Sequence, residues 1–204
     1  MSEARMTLLM KTRVAARLLL LQARWDPARM QGTGFAFALD PWLMVCWAGD
    51  AEGLLAARRR HLEHFNTHPI AAWLTAGVVC RLEAVAAART GAERETTIAR
   101  IRALKTSLAA SLAALYDAFF WGGLRPVSAL AGLLAAQAAY HRGSPRSVAC
   151  GVLTALALYN APAFAARAAG LLRGCEEGEL AVVELCRLPV QTWIRSRRRA
   201  ASAP

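Results

Sequence analysis

A chain of 204 residues holds one compact body or two small ones, and one is the expectation. Hydrophobic residues make up 56% and charged ones 19%, against about a quarter charged in ordinary soluble domains, which leaves a membrane-associated helical protein or an alanine-rich bundle that never meets lipid. The formal charge of +11 is nearly all arginine, gathered before Met30, at Arg58, Arg59 and Arg60, between Arg81 and Lys105, and at Arg195, Arg197, Arg198 and Arg199, with long uncharged stretches between, as the positive-inside rule has it and unlike a nucleic-acid-binding stripe.

Helical signals dominate in chain order, with few β-branched runs and no alternating strands, so the expected fold is all-α: a helical membrane protein with transmembrane helices and re-entrant or broken ones. It is read as a single domain, 1–204, made of a basic amphipathic N-terminal helix (1–30), a membrane-associated body (31–172) and a polar, basic tail (173–204). In the opening MSEARMTLLMKTRVAARLLLLQ, Leu8, Leu9, Val14, Leu18, Leu19 and Leu21 make one helix face, suited to an anionic bilayer, a partner, or an ordinary protein surface. Evenly placed arginines and the lack of a small-residue cleavage site argue against a secretory signal.

Trp25, Asp26 and Pro27 predict a helix start, because Asp caps and Pro fits a first turn. GFAFALDPWLMVCWAG predicts helix, break at Asp40 and Pro41, helix. Ala51 to Phe65 predicts a helix with acid near its start and the arginine triplet on a solvated face, ending at Asn66, Thr67, His68 and Pro69. The apolar stretch from Ile70 to Cys80 is too short to cross a bilayer alone and fits a re-entrant arm or a core helix. Charged residues from Arg81 to Lys105, interrupted at Thr90 and Gly91, predict a polar hairpin. Thr106 to Leu124 is long enough to span and carries Asp117; Val127 to Tyr140 is shorter; Val148 to Leu172 is long and contains Asn160, Pro162 and Arg167. Two to three membrane passes follow.

Three blocks carry a resemblance. LLLLQARWDPARMQGTGFAFALDP, RHLEHFNTHPIAAWLTAGVVCRLE and YDAFFWGGLRP agree in order and spacing with the signatures of one family, and LYNAPAFAARAAGL, from Leu158, is a weaker fourth. The chain resembles the IID component of the mannose/fructose/sorbose family phosphotransferase system (PTS) permeases. That resemblance implies a helical subunit of a bacterial cytoplasmic (inner) membrane. Such a subunit pairs with a IIC subunit to translocate a hexose-like sugar, while separate IIA and IIB proteins carry phosphoryl groups on histidine. It also implies a non-catalytic subunit with no cofactor, no metal and no nucleic-acid partner. Where the family has a glycine-rich run before the Asp-Phe-Trp block, this chain has SLAASLAALYDA, which favours a continuous helix. Where the family continues into further apolar segments, it has RSRRRAASAP.

On that reading the candidate substrate-binding residues are Asp117, Trp121, Arg125, Asn66 and His68. An ionisable group in an apolar span costs about 2.5 to 3.5 kcal/mol at a helix centre, which leaves three roles for Asp117: an ion pair with Arg125 across a bend at Gly122 and Gly123, a contact to a sugar hydroxyl, or an exposed helix end. Trp121 suits either a sugar face or a bilayer interface. Asn66 and His68 sit where a helix stops, as caps or as polar contacts. His61, His64 and His68 share a helical spacing, but no carboxylate or cysteine completes a ligand set. Cys46, Cys80, Cys150, Cys175 and Cys186 form no CxxC pair and read as reduced small hydrophobes. Two rival functions stand beside the transport subunit: a truncated, non-transporting homologue with a regulatory or partner-binding role, and a soluble basic bundle that binds nucleic acid.

Overall fold

The computed structural model describes residues 4–187, and all the regular elements among them are helices: α1 (Leu8–Leu18), α2 (Gly32–Cys46), α3 (Ala51–Leu62), α4 (Ala71–Ala88), α5 (Gly91–Tyr116), a π-helical segment (Asp117–Leu124), α6 (Arg125–His141), α7 (Ser147–Glu177) and α8 (Glu179–Arg187). They fall into two units, one of residues 4–113 with 167–187, the other of residues 114–166. The boundaries run through α5 and α7. The basic cluster at Arg195, Arg197, Arg198 and Arg199 lies outside the described residues.

In the first unit, α1 starts where the Thr7 hydroxyl accepts from the Met10 N–H at 3.3 Å, an N-cap bond. Its apolar residues do not make the single face expected of them. Val14, Leu18 and Leu21 are buried with Phe35, Leu39 and Trp42 of α2, whereas Leu8, Leu9 and Leu19 stay exposed. The expected helix start at Pro27 is a tight turn: the Asp26 carboxylate accepts from the Ala28 and Arg29 N–H groups, and Met30, at φ 53°, reverses the chain. The helix begins instead at Gly32, where two glycines let its backbone meet other backbone. A Cβ on Gly32 would lie 2.4 Å from the Glu63 carbonyl oxygen, and one on Gly34 would lie 1.9 Å from that of Leu21.

The break expected at Asp40 and Pro41 is absent; α2 continues through Pro41. Proline lacks the N–H that would bond the Phe37 carbonyl. Arg17 of α1 replaces it, with Nη1 donating to that oxygen at 2.9 Å and its guanidinium lying 4.5 Å from the Phe37 ring centre. The proline therefore binds α2 to α1 through a side chain from outside the helix.

The Asp50 carboxylate caps α3 by accepting from the Gly53 N–H at 2.8 Å, and that bond, aided by Arg94, holds its pKa below the ordinary carboxylate value. The helix stops at Leu62, three residues short of expectation. The short apolar stretch after Pro69 proves to be the start of an 18-residue helix, α4, whose polar end is taken up by packing: 72% of it is buried inside the protein. The stretch packs in the core of the first unit, and with its polar end the helix is long and apolar enough to cross a membrane. It crosses the last turns of α7 at backbone contact. A Cβ on Gly77 would lie 2.6 Å from the Leu171 carbonyl oxygen, and one on Gly174 would lie 2.8 Å from that of Leu74. Gly170 and Gly174 form a GxxxG pair on that face, which lets two backbones touch.

In the second unit, the gap expected between the spans Thr106 to Leu124 and Val127 to Tyr140 is absent: the π-helical segment runs directly into α6, with a change only in hydrogen-bond register. The Arg125 N–H donates to the Phe120 carbonyl, an i→i−5 bond in place of i→i−4. Pro126 supplies a reason: without an N–H it cannot bond Gly122 in the α pattern. α6 and α7 then pack through Gly132 and Gly151, where a Cβ on either would come within 2.7 Å of the other's carbonyl oxygen. The outward faces carry exposed Leu130, Leu133, Leu134, Val152, Leu153 and Leu156. Ala71–Ala88, Gly91–His141 and Ser147–Glu177 are long and apolar enough to cross a membrane, and the outward leucines of the last two match a lipid surrounding.

Candidate functional site

The densest polar arrangement in the first unit was not expected from sequence. Glu83 of α4 and Arg60 and His61 of α3 are all essentially inaccessible. Arg60 donates from Nε to Glu83 Oε1 at 2.7 Å and from Nη2 to Oε2 at 2.8 Å. Trp47 donates from its indole N–H to Oε2 at 2.9 Å, and His61 Nε2 lies 2.9 Å from Oε1. Four bonds thus saturate one carboxylate, the condition under which a charge tolerates burial. Because a carboxylate only accepts, His61 carries its proton on Nε2, leaving Nδ1 buried without a hydrogen-bond partner among the described residues. Burial, opposed by Glu83, pushes the His61 pKa below the ordinary imidazole value, so the ring is neutral beside Arg60. Lys105 closes the cluster, donating to the Arg60 carbonyl at 2.6 Å.

This corrects the solvated face assigned to the arginine triplet: Arg58 reaches Asp40 at 2.7 Å on the surface, but Arg60 faces the core. It also removes the three-histidine face, since α3 ends before His64 and His68. The signal that would have found Glu83 was available. A lone acid in an apolar helix demands an interior partner, the rule applied to Asp117.

The cluster sits at the base of the loop that bears Asn66. Gln31 pairs its side-chain amide with the backbone of Thr67, donating from Nε2 to the Thr67 carbonyl at 2.8 Å and accepting from the Thr67 N–H at 3.1 Å. The Gln31 N–H donates to the Phe65 carbonyl at 2.8 Å. Residues 65 and 67 are therefore clamped and buried, and Asn66 between them is exposed. His68 turns inward, its Nδ1 accepting from the Ile70 N–H at 3.1 Å, in the turn that leads into α4. Of the two candidates here, Asn66 faces outward and His68 supports the backbone.

The other three candidates lie on the π-helical segment and its edge, in the second unit. Asp117 is exposed, and the ion pairs found among the described residues include none between it and Arg125. Arg125 instead places its guanidinium 4.6 Å from the centre of the Trp121 ring. Trp121 and Arg125, four positions apart, share a face, whereas Asp117 and Arg125, eight apart, are separated along the axis. Phe120 points the other way, buried against Tyr116 at 5.6 Å between ring centres and Tyr159 at 6.4 Å, which fixes the register of the segment. The result is a wide helical turn that displays a carboxylate, a half-exposed indole and a guanidinium. Carboxylate and guanidinium suit hydroxyl groups, and the indole suits an apolar sugar face.

A cavity of about 740 Å³ in the first unit is lined by Arg5, Lys11, Trp42, Cys80, Arg81 and Glu176, among others. Lys11 pairs with Glu176 across it at 2.6 Å.

Comparison with known proteins agrees with this architecture. The mannose-specific EIID component of the PTS of Escherichia coli K12 is 39% identical over 113 residues, 55% of this chain and 38% of that protein. The fructose permease IID component of Bacillus subtilis is 35% identical over 107 residues, 51% of this chain and 36% of that protein. This chain spans well under half the length of those curated relatives. In a solved complex of the mannose transporter ManYZ with microcin E492, one chain superposes with a TM-score of 0.74 at 30% identity, covering 95% of this chain and 66% of that one. The profile of the PTS system mannose/fructose/sorbose family IID components matches residues 6–195, and the chain belongs to that family.

Proposed function

We propose that this chain is the IID membrane subunit of a mannose-type PTS sugar permease, pairing with a IIC subunit to move a hexose-like sugar while IIB, recharged by IIA, phosphorylates it. It acts as a non-catalytic subunit in a bacterial inner membrane. The observation that carries the reading is the π-helical turn at the family's own FWGGLRP signature, since π turns inside α-helices gather at functional sites and this one displays Asp117, Trp121 and Arg125. In the first unit, Asn66 stands outward beside the Gln31–Thr67 clamp as a separate candidate for a polar substrate contact, and His68 shapes its loop. The relatives' names support the sugar class, and the exposed leucines of α6 and α7 support the bilayer.

The test is sugar uptake and phosphorylation in a host that lacks its own IID protein and expresses this chain with IIA, IIB and IIC. Uptake is expected from the parent chain and a loss of about tenfold or more from Asp117→Asn or Trp121→Ala, the scale of one polar or stacking contact. No uptake with the parent, at normal membrane levels, overturns the transport reading. Unchanged uptake in both variants removes the site assignment and leaves the subunit.

A further inference from the structure

The apolar residues of α1, expected on one face, are divided between two opposite faces. Val14, Leu18 and Leu21 point to the core and are buried. On the other side Leu8 is 72% exposed, Leu9 64%, Leu19 61% and Leu20 54%, with Ala16 exposed among them. At 100° per residue Leu8, Leu9, Ala16 and the Leu19–Leu20 turn fall within one stripe opposite Val14. A stripe of four leucines facing water is unfavourable for a helix whose inner face already holds it to the protein.

The charge around the stripe identifies what covers it. Residues 4–25 contain five cations, Arg5, Lys11, Arg13, Arg17 and Arg24, and not one acid. Lys11 and Arg17 are engaged inside the unit, but Arg5, Arg13 and Arg24 are exposed. Trp25, at the end of the segment, is half exposed, and tryptophan favours the headgroup level of a bilayer. An outward leucine stripe bordered by cations matches a surface that is apolar below and anionic above, which a leaflet containing acidic phospholipid supplies. A protein partner would have to bring both an apolar groove and a rim of acids.

We infer that α1 is an interfacial helix, seated through Leu8, Leu9, Ala16, Leu19 and Leu20 in the headgroup region of an anionic leaflet while Val14 and Leu18 hold it to α2. The helix thereby couples the first unit to lipid composition. A positive arginine near a surface of acidic lipid contributes about 1 kcal/mol, so each free cation raises the preference for anionic over neutral lipid by about fivefold.

The experiment places a benzophenone amino acid at Leu9 or at Ala16 of the full chain, with Glu95 on α5 as a solvated control position. The chain is held in nanodiscs of phosphatidylcholine with or without phosphatidylglycerol, and adducts are read by mass spectrometry. Lipid adducts are expected at Leu9 and Ala16 but not at Glu95, enriched in phosphatidylglycerol, with the enrichment falling about fivefold for each charge removed in Arg13→Gln and Arg24→Gln. A peptide adduct, to a second copy or to another protein in native membranes, overturns the inference, as does no adduct or equal yield in both lipids. A readout on the unmodified chain stands beside it: tryptic cleavage after Arg13 should slow several-fold when phosphatidylglycerol is present, and an unchanged rate refutes the seating.

Discussion

Replacing Glu83 with glutamine changes the charge at the centre of the α3–α4 contact while leaving the side chain almost isosteric. In the parent, the carboxylate accepts from Arg60 twice, from Trp47 and from His61, at 2.7 to 2.9 Å. Arg60 is 2% exposed and Glu83 is 0% exposed, so water cannot replace the lost charge. Glutamine offers one acceptor oxygen and an NH2 group that faces donors, leaving an uncompensated guanidinium and at least one indole or imidazole N–H without an acceptor. Breaking a buried pair from one side costs roughly 3 to 5 kcal/mol. Removing the stranded cation as well, Arg60→Met with Glu83→Gln, is expected to recover part of that loss, since no buried charge then lacks its partner while the amide oxygen still accepts from Trp47 and His61. Chemical unfolding of the purified chain in mixed micelles, followed by tryptophan fluorescence, measures both. The reasoning is refuted if Glu83→Gln lies within about 1 kcal/mol of the parent, or if the double variant is as unstable as the single one.

Three further outcomes follow from the packing. Arg17→Met leaves the Phe37 carbonyl, unbonded because of Pro41, to water and should cost about 0.5 to 1.5 kcal/mol, but less in a Pro41→Ala background, where the new N–H takes the same oxygen; equal losses in both backgrounds refute the substitution of bonds. Gly174→Val puts a Cβ 2.8 Å from backbone atoms of Leu74 and Val78 and should abolish protease-resistant folded protein, whereas Gly143→Ala, in an open loop at φ 71°, should lower stability by only about 1 kcal/mol. His61 has a folded pKa below its unfolded value of about 6.5, so the unfolded chain binds a proton that the folded one refuses. Stability should be full above that value and fall as pH drops through the folded pKa. His61→Gln should flatten that slope in unfolding curves taken between neutral and mildly acidic pH, and an unchanged slope would assign the pH dependence to other groups.

The membership of a membrane-subunit family was legible because its marks are local. FNTHP and FWGGLRP are short runs whose residue types stand in the sequence itself, and long apolar stretches with cations at their flanks follow from the energetics of transfer into lipid. The continuous helix through SLAASLAALYDA likewise depends on neighbours within a few positions.

Tertiary contacts decided what lies beyond that range. Pro41 reads as a break until Arg17, from another helix, is seen to supply its missing bond. Arg60 is indistinguishable in sequence from Arg58 and Arg59, and only the arrival of Glu83 from α4 makes it a core residue. Gln31 clamps Thr67 across 36 positions, and the apolar residues of α1 divide between core and surface according to where α2 lies. In each case the sequence specified the chemistry a group could offer, and the three-dimensional fold chose the partner, because burial and hydrogen bonding depend on distance in space and not along the chain.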